Sequence, residues 1–105
     1  MELKDTIDMM LHEDYKERFK AEYWQTKIRY ERLKKFNTRI EAAQQTQFTV
    51  GKKVERPRHD CPDDLLKAQQ QNMGEYLHIL EIRAEIEGID LAAEFMPNDI
   101  YEGRI

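Results

Sequence analysis

Residues 13–45 contain neither glycine nor proline. The stretch is dense in Glu, Lys, Arg, Gln and Ala, so it is built of good helix formers with nothing to interrupt them. Tyr15, Phe19, Tyr23, Thr26, Tyr30, Leu33 and Ile40 recur in it at steps of three, four and seven. At about 100° per residue these positions fall on one side of a helix. The spacing predicts one long amphipathic helix over 13–45, roughly 50 Å long at about 1.5 Å per residue. Its stripe is largely aromatic and calls for a helical partner with bulky contacts.

A second long helix is expected over 62–87. Pro62 suits the first helical turn, and Asp63 and Asp64 complement the positive N-terminus. Leu66, Met73, Leu77, Leu80 and Ala84 form its main stripe, and Gly88 followed by Ile89 reads as a C-terminal cap. Gly74 lies inside this helix, where it costs about 1 kcal/mol relative to alanine, and implies close approach of a neighbour. Residues 1–12 read as a short leading helix carrying Leu3, Ile7, Met10 and Leu11, which either runs into the long helix or kinks near His12. Residues 46–61 break the pattern. They form either a basic loop or a small β-hairpin of Phe48, Val50 and Val54 around Gly51 and Lys52. Residues 88–105 read as a tail, with a further helical turn over 90–96 ended by Pro97 and a mobile end over 98–105. The fold class is therefore all-α: an antiparallel helical hairpin with a short N-terminal helix and an irregular basic connecting arm, in a single domain over 1–105.

Two helices make a thin core for 105 residues. Trp24 and Ile28 lie on the back of the first long helix, and Ile79, Ile82 and Ile86 form a second row on the other. Either the terminal segments or another subunit must cover this surface. The N-terminal helix is too short to cover both patches, so a homo-oligomer is expected.

The net charge of −4 hides a segregation. Residues 1–26 carry −3 and residues 59–105 carry −8, whereas residues 27–58 hold ten basic groups against three acidic ones, a net +7. The basic middle either pairs with the acidic ends or binds an anion. In a hairpin, the far end of the first helix and the connecting arm share one end. Lys52, Lys53, Arg56 and Arg58 lie on that arm as candidate phosphate contacts, with Lys27 on the helix and Trp24, Tyr30 and Phe48 offering rings for stacking. Such a set suits a nucleotide, a cyclic oligonucleotide or an RNA segment. The acidic flanks oppose a long double-stranded DNA track.

Enzyme motifs fail on spacing. Glu75 and His78 give one Glu-x-x-His pair, but a bundle di-iron site needs two such pairs and two more carboxylates. Glu87 and Asp90 match half of the pattern of all-helical nucleoside triphosphate pyrophosphohydrolases. The upstream half has only Asp14 and Glu17 as an approximation. His59, Asp60 and Cys61 lack the further ligands of a zinc site. Gly51-Lys52-Lys53 lacks P-loop spacing. No catalytic residue, metal site or cofactor is therefore assigned. The lone Cys61 excludes an intrachain disulfide and suits a reducing cytoplasm. The first residues lack the layout of a secretory signal, and no run approaches the ~20 apolar residues of a spanning helix. A cytoplasmic protein without a membrane partner is expected.

The segments Tyr15–Tyr23, Lys27–Lys35, Cys61-Pro62, Met73–Leu80 and Ile86–Asp90 together resemble small helical-hairpin proteins of crAss-like and Firmicutes phages. More remotely, the layout is similar to phage anti-defence sponges, oligomeric hairpins that sequester cyclic oligonucleotide messengers of bacterial immunity. The resemblance spans about residues 13–90 and transfers no ligand motif. It implies a non-enzymatic binder that blocks a host system, set in the host cytoplasm when phage-encoded. The alternative is an inhibitor or adaptor of a host defence protein, anchored by Trp24 and Ile28 or by Ile100, Tyr101 and Ile105 of the tail.

Overall fold

The computed structural model describes residues 1–92. A 3-10 turn over Leu3–Thr6 leads into a single helical turn, α1 (Ile7–Met10), followed by two long helices, α2 (Tyr15–Thr46) and α3 (Asp63–Glu87). The all-helical hairpin is thus observed, and no strand occurs among the described residues. The expectations for Pro97, for the helical turn over 90–96 beyond Ala92 and for the tail anchors Ile100, Tyr101 and Ile105 lie outside the described residues.

Local chemistry fixes the helix ends. The backbone N–H of Lys16 donates to Asp14 Oδ1 at 3.0 Å, so Asp14 caps α2. Arg18 Nη1 donates to the carbonyls of His12 and Glu13 at 2.8 and 2.7 Å, which pins the break between α1 and α2. α3 ends as its sequence implies. Gly88 takes φ +71°, and the Ile89 N–H donates to the Ala84 carbonyl at 2.8 Å. That bond satisfies a carbonyl the helix would otherwise leave open, and Ile89 is buried beside it.

The chain divides into two compact units, residues 1–28 with 76 onward, and residues 29–75; α2 and α3 each contribute to both. The first is the terminal unit. Its core contains Met9, Phe19, Ala21, Tyr23, Leu77, Leu80, Ala84, Ile89 and Ala92. Antiparallel pairing of its helices is tied by Tyr15 Oη donating to Glu87 Oε1 at 3.0 Å and Tyr23 Oη donating to Glu81 Oε2 at 2.8 Å. The Arg83 guanidinium stacks over the Phe19 ring at 4.8 Å.

The back of α2 is covered by the terminal segments. Trp24 Nε1 donates to the Leu91 carbonyl at 2.9 Å, and Gln25 Nε2 donates to Thr6 Oγ1 at 2.9 Å. Trp24 and Ile28 are half-buried as a result. A buried indole N–H needs an acceptor, and the chain beyond the α3 cap supplies one. Among the described residues no such cover reaches Ile79, Ile82 and Ile86, which are 53%, 47% and 78% exposed.

The second is the arm unit. Ile40, Ala43 and Asn37 are buried in it. Asn37 Nδ2 donates to the Leu66 carbonyl at 3.1 Å and to Gln70 Oε1 at 2.9 Å, a polar tie across the antiparallel pair. At Gly74 a Cβ would lie 3.3 Å from Tyr30 Cε1, so the close approach expected of this glycine is present. Residues 47–62 form neither helix nor strand. Phe48 and Val50 are 89% and 101% exposed and so have no face to pack on, which removes the drive for a hairpin. The Val54 N–H instead donates to Thr46 Oγ1 at 3.0 Å, tying the arm to the end of α2.

Candidate ligand-binding arm

Five of the seven expected site residues belong to the arm unit: Tyr30, Lys52, Lys53, Arg56 and Arg58. Trp24 and Lys27 belong to the terminal unit. Lys52, Lys53 and Arg58 are exposed, and among the described residues none of the three is ion-paired. They lie on irregular backbone, where cations can follow the shape of an anion. Tyr30 is half-buried beside Gly74, with Lys34 Nζ 6.0 Å from its ring centroid. Phe48 presents its ring almost wholly to solvent.

Arg56 has a different environment. Its Nη2 lies 2.8 Å from both carboxylate oxygens of Asp63, the first residue of α3. Gln44 Nε2 donates to Asp63 Oδ2 at 3.2 Å, and His59 Nε2 lies 3.2 Å from Asp63 Oδ1. The Arg56 guanidinium holds the Asp63 carboxyl below the usual carboxylate range; His59 and Lys67 push the same way and burial opposes them. His59 packs edge-on against Phe36, with ring centroids 5.4 Å apart. Both of its ring nitrogens are buried without a hydrogen bond.

The sequence marks Asp63 as a helix-dipole partner and His59 as part of an incomplete zinc site, and gives no sign of the cluster around Arg56. No spacing signals it, because residues 56–62 form no helix or strand whose period would bring Arg56 to Asp63.

The other candidates have local roles. Glu87 accepts from Tyr15 and from Arg83 Nε at 3.0 Å. The Arg83 bond, then the Tyr15 bond, lowers its pKa. Asp90 Oδ1 accepts from the Ala92 N–H. Glu75 and His78 are exposed. Among the described residues no group of three or more His, Cys, Asp or Glu is arranged to hold a metal ion. None of their helices is long and apolar enough to cross a membrane. An open depression lined by Asp8, Leu11, His12, Glu13 and Asp14 is acidic and repels the anion that the arm would attract.

The arm that joins the two helices thus presents Lys52, Lys53 and Arg58 to solvent, with no ion pair among the described residues. The chain belongs to the Sequestin family, whose model matches residues 13–86, covering the whole arm and almost all of both long helices. The family name points to a protein that sequesters a ligand rather than one that transforms it. Neither a curated protein nor a solved structure matches the chain.

Proposed function

We propose that this protein is a phage-type, non-enzymatic binder that counters bacterial defence by sequestering a cyclic nucleotide messenger in the host cytoplasm. The observation that carries this reading is the set of exposed cations Lys52, Lys53 and Arg58, without an ion pair among the described residues, on the arm of a Sequestin-family chain. Together with Arg56 they are the phosphate contacts, and the exposed Phe48 ring and Tyr30 suit base stacking. No cofactor takes part. The working form is a homo-oligomer, supported by the open Ile79, Ile82 and Ile86 row. Isothermal titration against a panel of cyclic di- and trinucleotides tests the reading: at least one binds, and K52Q/K53Q/R58Q weakens it by at least about tenfold. No heat with any of them removes it.

The same isoleucine row favours a second reading, an inhibitor or adaptor that docks on a host defence protein. Recovery of one stoichiometric host protein by the wild type, lost in Ile82→Glu, supports it. Recovery unchanged by Ile82→Glu counts against that face.

A further inference from the structure

We propose that Arg56, His59 and Gln44 form an oxyanion site filled by the chain's own Asp63 carboxylate, and that a phosphate group of a bound ligand displaces this carboxylate. The identity of the natural ligand rests on the sequestration reading; the existence of the site does not.

Three elements converge here: Gln44 from α2, Arg56 and His59 from the arm, and Asp63 from α3. The donors outnumber the oxygens they meet. Asp63 offers two oxygens. Arg56 Nη2 bridges both at 2.8 Å, Gln44 Nε2 shares Oδ2 at 3.2 Å, and His59 Nε2 lies 3.2 Å from Oδ1 without forming a hydrogen bond. Among the described residues no bond engages Arg56 Nη1 or Nε, so most of its planar fork is unused. A terminal phosphate or a pyrophosphate brings at least three acceptor oxygens and up to two negative charges on one phosphorus, and so matches this donor set better than a carboxylate does; the diester phosphate of a cyclic nucleotide brings two non-bridging oxygens and one charge, and competes with Asp63 on equal terms. The site is also reachable, since the Arg56 side chain is 49% exposed and that of Asp63 21%. Asp63 stays ionised well below neutral pH because Arg56 holds its pKa down. It therefore competes with an incoming anion throughout the physiological range.

The experiment titrates the full chain with inorganic pyrophosphate by calorimetry at low ionic strength. Asp63→Asn is expected to bind about tenfold tighter than wild type, as loss of a charge-assisted competitor allows. Asp64→Asn, which removes the same charge one residue away, is expected to gain less than about twofold at such an exposed position. Adding Arg56→Gln to Asp63→Asn is expected to abolish the gain. Equal gains in the two single variants, or a gain that survives Arg56→Gln, overturn the proposal. Should Asp63→Asn lose its helical circular dichroism, the wild type serves: pyrophosphate then must shift the Asp63 side-chain carboxyl carbon and Arg56 Nε in NMR spectra. Either no shift at the highest pyrophosphate concentration or saturation with both unmoved overturns it. A cyclic nucleotide that binds wild type while Asp63→Asn gains nothing overturns this inference and leaves sequestration standing. A pyrophosphate gain with no heat from any cyclic nucleotide supports the site and removes the messenger.

Discussion

Leu80 and Ile79 are neighbours on α3 with opposite surroundings: Leu80 is 1% exposed and Ile79 53%. Truncating each to alanine therefore tests which face of α3 the terminal unit uses. Leu80→Ala removes buried methyl and methylene groups and leaves a cavity, which costs about 3 kcal/mol for a site of this kind. In a chain of this size that lowers Tm by roughly 15 °C. Ile79→Ala removes atoms that are half in water already, a loss of about 1 kcal/mol. Alanine recovers about 0.4 kcal/mol of that, because a β-branched side chain is the poorer helix former. The net cost of Ile79→Ala is thus about 0.5 kcal/mol. Urea unfolding followed by circular dichroism at 222 nm, at the lowest workable concentration, separates the two. Raising the concentration then stabilises the wild type, but not Ile79→Ala, if the isoleucine row joins copies. A cost for Ile79→Ala as large as that for Leu80→Ala at the lowest concentration refutes the assignment of the α3 faces.

Gly88→Ala forces a side chain into a backbone position of φ +71°; it is expected to destabilise the protein by about 1 kcal/mol, read in a thermal melt. Asp63 and Glu87 both have folded pKa values lowered by hydrogen-bonded arginines. Their stabilisation is therefore present above the ordinary carboxylate pKa and is lost as pH falls through the lowered values. Arg56→Gln and Arg83→Gln should each flatten the acid limb of a Tm-against-pH curve. Tyr15 titrates the other way: its hydrogen bond to Glu87 raises its pKa. That stabilisation is full below the unfolded tyrosine value and is lost as pH rises through the folded one, so Tyr15→Phe should flatten the alkaline limb.

The helices and their ends were legible because each depends on residues close in sequence. The Gly- and Pro-free run gives α2, observed over Tyr15–Thr46, and the Gly88-Ile89 pair closes α3 through a bond back to Ala84. Contacts across the chain were not legible. Helical period places Trp24 on the back of α2, yet nothing near Trp24 announces that the Leu91 carbonyl, 67 positions on, accepts its indole N–H. The basic arm was legible as composition, whereas the division of labour within it was not. Arg56 looks like Arg58 in sequence, and only the fold puts the Asp63 carboxylate on one of them.

That division bears on whether the arm's charge serves the fold or a ligand. The arm unit carries ten basic residues against seven acidic ones, so its cations repel one another on balance. Arg56 and Lys67 offset this with partners, Asp63 at 2.8 Å and Glu41 at 3.7 Å. Among the described residues Lys52, Lys53 and Arg58 make no such ion pair, and they sit on a segment without helix or strand, so no backbone ladder depends on them. Charges kept for solvation alone would serve equally well mixed with acids, which also limits self-repulsion. Neutralising the three should therefore leave Tm unchanged or raise it slightly, while it weakens anion binding. Thermal melts of K52Q/K53Q/R58Q at low and high salt decide the point. A clear fall in Tm at low salt would assign the three cations to the fold and refute their role as ligand contacts held in reserve.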